Sequence, residues 1–250
     1  MSLSEIGLSC LVVIVAYLVR GSSGFGSALL AVPILAHWLP LTLVVPLVAT
    51  LDVVAGIVLT GAGLRDRAVD WSEVVWLLPG SIVGIAVGLA LLLHIKPHAL
   101  ILVLGVVVIL FGAHYLLVHR VSRIVSRIWS LPAGAVGGVV GAMFATSSPP
   151  YVIYLIHRLS DKVKLRATMS AIFVIEGSLR VMGMLMSSLL LQPELGRYLA
   201  IGLPSMAVGL YLGNHVHIGL SKRQMKVLIG CLLLGSGISL VVKALSVWVG

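Results

Sequence analysis

The sequence predicts an all-α integral membrane protein, and its composition carries that prediction. Apolar residues make up 60% of the 250 residues and charged residues only 10%, against about 25% charged in an ordinary soluble domain. The mean hydropathy is +1.16. We therefore expect a chain that crosses the membrane several times, and we exclude a soluble globular fold.

Eight apolar blocks, each long enough at about 20 residues to cross a bilayer, are separated by short polar turns. All five tryptophans fall near block ends, where their amphipathic rings favour the headgroup boundary. The first residues lack a basic segment and a small-residue cleavage site, so the first block is expected to be retained. The blocks cover residues 4–36, 41–63, 71–94, 98–118, 129–157, 166–191, 196–217 and 223–248.

A weak internal repeat divides the chain into two four-helix halves, 1–122 and 123–250. A shift of 120 residues lays the segment 21–39 on 141–159, so that a polar interruption recurs at the same place in both. Each half has an even number of blocks, which predicts parallel copies related by an axis along the membrane normal. That prediction fails if the first block of each half folds as a hairpin.

Blocks one and five are too long for straight spans. Each has about 30 residues, or ~45 Å of helix, against a hydrocarbon core of ~30 Å. The strings RGSSGFGS (20–27) and FATSSPP (144–150) interrupt them near the middle, because glycine permits non-helical dihedrals and proline lacks a backbone donor.

Matched interruptions predict that the first helix of each half is broken at mid-membrane. Freed backbone groups survive in a membrane only where protein or a water-filled cavity satisfies them. Discontinuous helices of this kind surround the substrate in many transporters. The alternative is a pair of ordinary kinks in which serines bond to preceding carbonyls.

Four ionisable residues lie deep within blocks: Arg20, Asp52, Glu176 and Arg180. A charge at that depth costs at least ~2.5–3.5 kcal/mol, so each is expected to be paired or functional. Glu176 and Arg180 have the spacing of an ion pair within one helix. Arg20 has no acid within one helical turn, and either pairs with Asp52 across the bundle or is available to bind an anion.

The net charge of +9 does not indicate a nucleic-acid partner, because the basic residues sit in short turns where they suit anionic lipid. We leave out Arg20, Arg180 and Lys243, which lie within blocks, and let successive turns alternate between the two sides of the membrane. Six Lys and Arg residues then fall on one side and eight on the other, which leaves the cytoplasmic face undecided. We find no metal-ligand spacing, nucleophilic triad or catalytic carboxylate pair. We therefore expect neither a cofactor nor a metal, and no enzymatic activity.

Two stretches resemble the signatures of the sulfite exporter TauE/SafE family. GSSGFGSALLAVPIL, which begins at residue 21, resembles the first, and GGVVGAMFATSSPPYVIYLIHRLSDKVKLRATMSAIFVIE (137–176) resembles the second. The resemblance implies an eight-span transporter of sulfite, sulfonates or related small anions in the bacterial plasma membrane. The residues it nominates for substrate binding are Gly24, Phe25, Gly26, Ser27, Thr146, Ser147, Ser148, Pro149 and Pro150.

The sequence departs from the family pattern at three positions. Ala145 and Ser148 replace usual glycines, which should narrow the pocket. Arg20 occupies a position where glutamine is more typical, and the added cation leaves the choice of substrate open.

The resulting hypothesis is a secondary transporter, with export favoured, that works by alternating access. The anion would bind at the midplane between the halves, held by half-helix N-termini, serine and threonine hydroxyls, and Arg20 or Arg180. We favour Arg20, and Glu176 or Asp52 could carry a coupling proton. A homodimer stays open, and the alternatives are a passive anion channel and a non-transport membrane enzyme or assembly factor.

Overall fold

The computed structural model describes residues 3–23, 26–63, 69–117, 125–159, 161–215 and 222–249, and no strand occurs in these ranges. Short 3₁₀ turns cover Arg127–Trp129 and Leu189–Leu191. The α-helices of the described chain are α1 (Leu3–Ser23), α2 (Ser27–Leu35), α3 (Leu41–Gly63), α4 (Trp71–His94), α5 (Pro97–Leu117), α6 (Ser130–Phe144), α7 (Ser148–Arg158), α8 (Lys162–Met186), α9 (Pro193–His215) and α10 (Lys222–Val249).

Seven helical segments of the described chain are long and apolar enough to cross a membrane. The structure thus confirms the prediction of an all-α, multi-pass membrane protein. α3 and α4 coincide with the predicted blocks 41–63 and 71–94. In α10 the apolar segment within the described residues is Gly230–Ser246, which is shorter than the other seven. The total of eight spans therefore stays a prediction.

Both over-long blocks are interrupted where the sequence predicts. α1 ends at Ser23 and α2 begins at Ser27, while α6 ends at Phe144 and α7 begins at Ser148. Between α6 and α7, Ala145 has a φ of 56°, a left-handed conformation that costs a residue with a Cβ about 1–2 kcal/mol. Glycine would adopt it without that cost.

Each interruption is a hairpin rather than a kink. The indole Nε1 of Trp38, just beyond α2, donates to Ser9 Oγ near the start of α1 at 3.2 Å, so α2 runs back along α1. In the second hairpin a Cβ added to Gly137 of α6 would lie 2.4 Å from the Tyr151 ring of α7. This is the condition under which the prediction of parallel halves fails.

Two pairs of parallel helices pack backbone to backbone through glycines. A Cβ added to any of four glycines would lie 2.2–2.6 Å from a carbonyl oxygen of the facing helix. Small residues permit this close approach between membrane helices. In both pairs the residue numbers rise together, so α4 is parallel to α6 and α9 to α1: Gly84 faces Ala135, Gly88 faces Val139, Gly209 faces Ile14 and Gly213 faces Leu18.

Two other pairs are antiparallel, because their residue numbers rise in opposite directions. α5 packs on α10 and α3 packs on α8 through the contacts of Gly105 with Val241, Gly230 with Leu116, Gly56 with Val174 and Gly177 with Val53. α5 and α10 are the last helices of the two proposed halves. Since they run in opposite directions, the prediction of parallel copies is wrong.

Candidate functional site

The tips of the two hairpins face one cavity. It measures about 30 Å³, which exceeds what a single water needs. The α1/α2 hairpin contributes the first turn of α2, and the α6/α7 hairpin contributes the link between its helices. The lining residues are Arg20, Gly26, Ser27, Ala28, Asp52, Ala145, Ser147, Phe173 and Arg180.

The first half-site is an ion pair between Arg20 and Asp52. Arg20 lies in the last turn of α1 and is buried, while Asp52 lies near the middle of α3. One guanidinium nitrogen, Nη1, donates to Asp52 Oδ1 and, at 3.2 Å, to Ser27 Oγ. Nη2 donates to the backbone carbonyl of Asp52 at 3.0 Å. Arg20 therefore takes the cross-bundle pairing that the sequence left open.

Two hydroxyl groups complete this half-site. Tyr17 donates to Asp52 Oδ1 at 2.6 Å and Ser27 donates to the same oxygen at 2.7 Å. Tyr17 is not among the site residues predicted from the sequence. Its position three residues before Arg20 places it on the same face of α1, which is the signal that could have found it.

The second half-site joins Glu176 and Arg180 of α8 to the other hairpin. Glu176 is completely buried and accepts a hydrogen bond from Ser147 Oγ at 2.8 Å. The predicted pair with Arg180 is present but long, with 3.5 Å between Nη1 and Oε1, beyond the usual 2.7–3.2 Å. The Nε atoms of both Arg180 and Arg20 are buried without a hydrogen-bond partner among the described residues, and so is Thr146 Oγ1.

A glycine makes room for this second pair. A Cβ on Gly141 of α6 would lie 2.7 Å from Arg180 Nη1 and 2.8 Å from Glu176 Oε1. The sequence comparison matched Gly141 with Gly21, yet Gly21 packs against the α9 backbone, with a Cβ position 2.7 Å from the Leu210 carbonyl. The role of Gly141 could not be read from the repeat.

The structure brings together several of the nominated residues. Gly26, Ser27 and Ser147 line the cavity beside Arg20, Asp52 and Arg180. Thr146 is buried in the same link. Gly24, Phe25 and the side chain of Ser148 lie outside the described residues.

Pro149 and Pro150 occupy the first turn of α7, where a missing N–H costs no intrahelical hydrogen bond. They are not among the described lining residues. As a consequence, the first turn of α7 presents fewer N–H donors to the cavity than the first turn of α2. The positive end of the α7 dipole remains.

A separate charged cluster holds the base of the second hairpin. Glu73, at the start of α4, is 2% exposed and accepts from Arg158 Nη2 at 2.7 Å and from Tyr154 Oη at 2.6 Å. Arg127 lies 3.4 Å away. In the sequence Arg158 looks like one more cation in a short turn, because its partner lies 85 positions earlier.

The fold and the cavity define a class of protein. Apolar helices enclose two hairpins whose tips meet at four buried or half-buried charges, and a charged cavity inside a membrane domain is characteristic of a transport protein. Within the described residues no group of three His, Cys, Asp or Glu is placed to hold a metal ion.

The family model of the sulfite exporter TauE/SafE matches residues 9–240, and the chain belongs to this family. Members of the family are transporters, so the protein is a multi-pass membrane transporter and not an enzyme.

Two relatives cover most of the chain. One is the "Probable inner membrane transporter protein TsaS" of Comamonas testosteroni, 28% identical over 78% of this chain and 81% of its own length. The other is the "Probable sulfite/organosulfonate exporter TauE" of Cupriavidus necator, 24% identical over 72% of each chain. No solved structure shows a significant match.

Proposed function

We propose that the protein is a secondary transporter that exports sulfite, an organosulfonate or a related small anion across the bacterial inner membrane. The observation that carries this proposal is the guanidinium of Arg180, which lines the cavity and makes, among the described residues, a single hydrogen bond at 3.5 Å. The relative from Cupriavidus necator is named for the same substrates and direction. A buried cation with few partners, next to the Ser147 hydroxyl, is suited to sulfur oxyanions.

Arg180 is a better anion ligand than Arg20, which the sequence favoured. Arg20 already makes three hydrogen bonds through its two terminal nitrogens, so binding an anion there would compete with Asp52. Among the described residues Arg180 makes a single hydrogen bond, at 3.5 Å to Glu176. Nε is unpartnered in both arginines, so the difference lies in the terminal nitrogens. Ser147 lines the cavity beside Arg180, and the positive end of α7 begins directly after it.

The four charged groups at the cavity sum to zero, with two arginines against Asp52 and Glu176. An anion that enters this buried site adds a negative charge, and a proton on one acid restores neutrality. Glu176 is the better proton carrier, since Asp52 receives hydrogen bonds from Tyr17, Arg20 and Ser27. Protonation of Glu176 would also release Arg180 to the anion.

Alternating access follows if residues 1–122 and 123–250 are copies of opposite orientation, each with four long helices and one returning half-helix. The anion would sit between the hairpin tips, and rocking of one half against the other would open the cavity to each side in turn. The opposed directions of α5 and α10, and of α3 and α8, support this arrangement.

The test is flux into proteoliposomes under imposed pH gradients, with labelled sulfite, a short sulfonate and acetate as probes. We expect saturable flux of the sulfur anions that follows the pH gradient, and little flux of acetate. Glu176→Gln should exchange anion without responding to the gradient. Conductance that does not saturate and ignores the gradient would instead identify a passive channel, and the absence of sulfur-anion flux would contradict the proposed substrate class.

A further inference from the structure

One end of the helix bundle gathers the ends of α3, α5, α7 and α9 and the starts of α4, α6, α8 and α10. Glu73, at the start of α4, bonds to Arg158 at the end of α7. The backbone N–H of Asp70 donates to Thr168 Oγ1 of α8 at 2.9 Å, and Gly230 of α10 packs on the last turns of α5. We call this end the basic face.

The opposite end gathers the remaining helix termini. Gln192, before α9, donates to the carbonyl of Thr42 at the start of α3 at 3.0 Å. Lys243, near the end of α10, donates to the carbonyl of His37 beyond α2 at 2.7 Å. Ser9 of α1 meets Trp38 at the same end.

The cationic residues are divided very unequally between these two ends. Of the 17 Lys and Arg residues, two line the cavity and three lie towards the opposite end: Lys96, Arg197 and Lys243. The other twelve fall in the sequence at or between the helix termini that meet at the basic face. Eight are close to described termini: Arg127, Arg158, Lys162, Lys164, Arg166, Lys222, Arg223 and Lys226. Arg65, Arg67, Arg120 and Arg123 lie outside the described residues and are assigned to this end because the links that contain them join two of its termini.

The hairpins explain why the sequence alone gave an even division. A hairpin returns the chain to the side from which it entered, so each one reverses the side assigned to every later turn. The α1/α2 hairpin precedes all the turn cations and so reverses them together. The α6/α7 hairpin changes the division, because it moves the cations at the start of α8 and of α10 to the side of those between α3 and α4 and between α5 and α6. For the same fourteen residues the division changes from six against eight to twelve against two, and Lys243, which the sequence count left out because it lies within a block, is the third cation towards the opposite end.

We propose that the basic face lies in the cytoplasm and contacts the anionic headgroups of the inner leaflet. An excess of Lys and Arg in short turns sets orientation, while acidic residues contribute little, and the cytoplasmic leaflet carries the negative surface potential that attracts them. The start of α1 and the end of α10 then lie on the outer side. The α1/α2 hairpin enters the membrane from outside, and the α6/α7 hairpin enters from the cytoplasm.

The test labels single cysteines in right-side-out spheroplasts with a membrane-impermeant maleimide, before and after permeabilisation. Cys10 and Cys231 are first replaced by Ala. The basic face is probed at Ser126→Cys, an exposed residue whose side chain caps no helix, and at Val163→Cys, which is 60% exposed. The opposite end is probed at Gly196→Cys and Gly7→Cys, where an added Cβ meets nothing within 4 Å.

We expect the cysteines at 196 and 7 to react in intact spheroplasts, and those at 126 and 163 to react only after permeabilisation. The reverse pattern would overturn the orientation. Reaction of all four from outside, or of none, would overturn the placement of the two ends on opposite sides. Two positions at each end keep the result interpretable if one variant fails to fold, and the outcome does not depend on which anion is transported.

Discussion

The two half-sites that face the cavity contain the same three groups, an arginine, a carboxylate and a serine hydroxyl, but the arginine comes from a different helix in each. In the first, Arg20 is on the hairpin and reaches across to Asp52. In the second, Arg180 is on α8, four residues after its own partner Glu176. The hairpin helix that faces Arg180 is α6, and its Gly141 packs against the Arg180 side chain.

In the first half-site a glycine also faces the arginine, and it has the position on α3 that Arg180 has on α8. Gly56 lies four residues after Asp52, and a Cβ there would be 3.6 Å from Arg20 Nη2. An arginine that crosses between helices can adjust its approach and make close hydrogen bonds. An arginine fixed four residues from its partner on the same helix meets it at 3.5 Å, which leaves it available for a ligand. We therefore propose that Arg20 mainly stabilises the fold and that Arg180 binds the anion.

Exchanging each arginine for glutamine should separate these roles, and we expect this to be the largest effect. Arg20→Gln removes one partner of a buried ion pair, a loss of about 3–5 kcal/mol of stability, while the anion affinity of the folded fraction changes little. Arg180→Gln should keep most of its stability and bind sulfite about tenfold or more weakly, from a charge-assisted hydrogen bond of ~1.5–3 kcal/mol. Melting temperature in detergent and equilibrium binding measure the two properties.

The matched control is Arg197→Gln, which removes an exposed cation far from the cavity and should change neither property. If Arg20→Gln loses affinity while its melting temperature is unchanged, the two half-sites have been assigned the wrong way round.

The two glycines that face the arginines offer a second, smaller contrast. Gly141→Ala would place a methyl group 2.7 Å from Arg180 Nη1, whereas the Gly56→Ala methyl would be 3.1 Å from Val174 Cγ2 and 3.6 Å from Arg20 Nη2. Overpacking typically costs about 1–3 kcal/mol. We expect Gly141→Ala to reduce sulfite flux severalfold and Gly56→Ala to reduce it less.

Gly196→Ala serves as the control for the glycine pair, because its Cβ would meet open space. Equal losses of flux in Gly56→Ala and Gly141→Ala would show that the Glu176 and Arg180 pair has no special need for a glycine opposite it.

The smallest expected effects are those of the two serines. Ser27→Ala removes a hydroxyl that accepts from Arg20 and donates to Asp52, at a cost of about 1 kcal/mol of stability. Ser147→Ala removes a donor to Glu176 and should alter anion binding two- to fivefold with a smaller change in melting temperature. Melting temperature and equilibrium binding again measure the two effects. A larger loss of binding in Ser27→Ala than in Ser147→Ala would contradict the proposed difference between the two half-sites.

The sequence was sufficient to nominate most of the residues that line the cavity, but not to predict which of them bond to each other. The helix interruptions were predictable, because glycines and a proline pair in an apolar block of about 30 residues leave few alternatives. The hairpins were not, since a kink and a reversal use the same residues. The choice between an anion and Asp52 as the partner of Arg20 depended on α3 lying within reach of the α1 side chains, which no local pattern specifies. Glu73 and Arg158 are 85 positions apart for the same reason.

The glycine contacts between α1 and α9 also constrain the order in which the protein assembles. Ile14 and Gly209, which touch in the finished structure, are 195 positions apart, so at roughly 5–20 residues per second the ribosome needs about 10–40 s to supply the partner of α1. Asp52, in contrast, is made 32 positions after Arg20. The ion pair at the first hairpin therefore can form long before the helix that encloses it, and an arginine neutralised within its own half can remain in the bilayer during that interval.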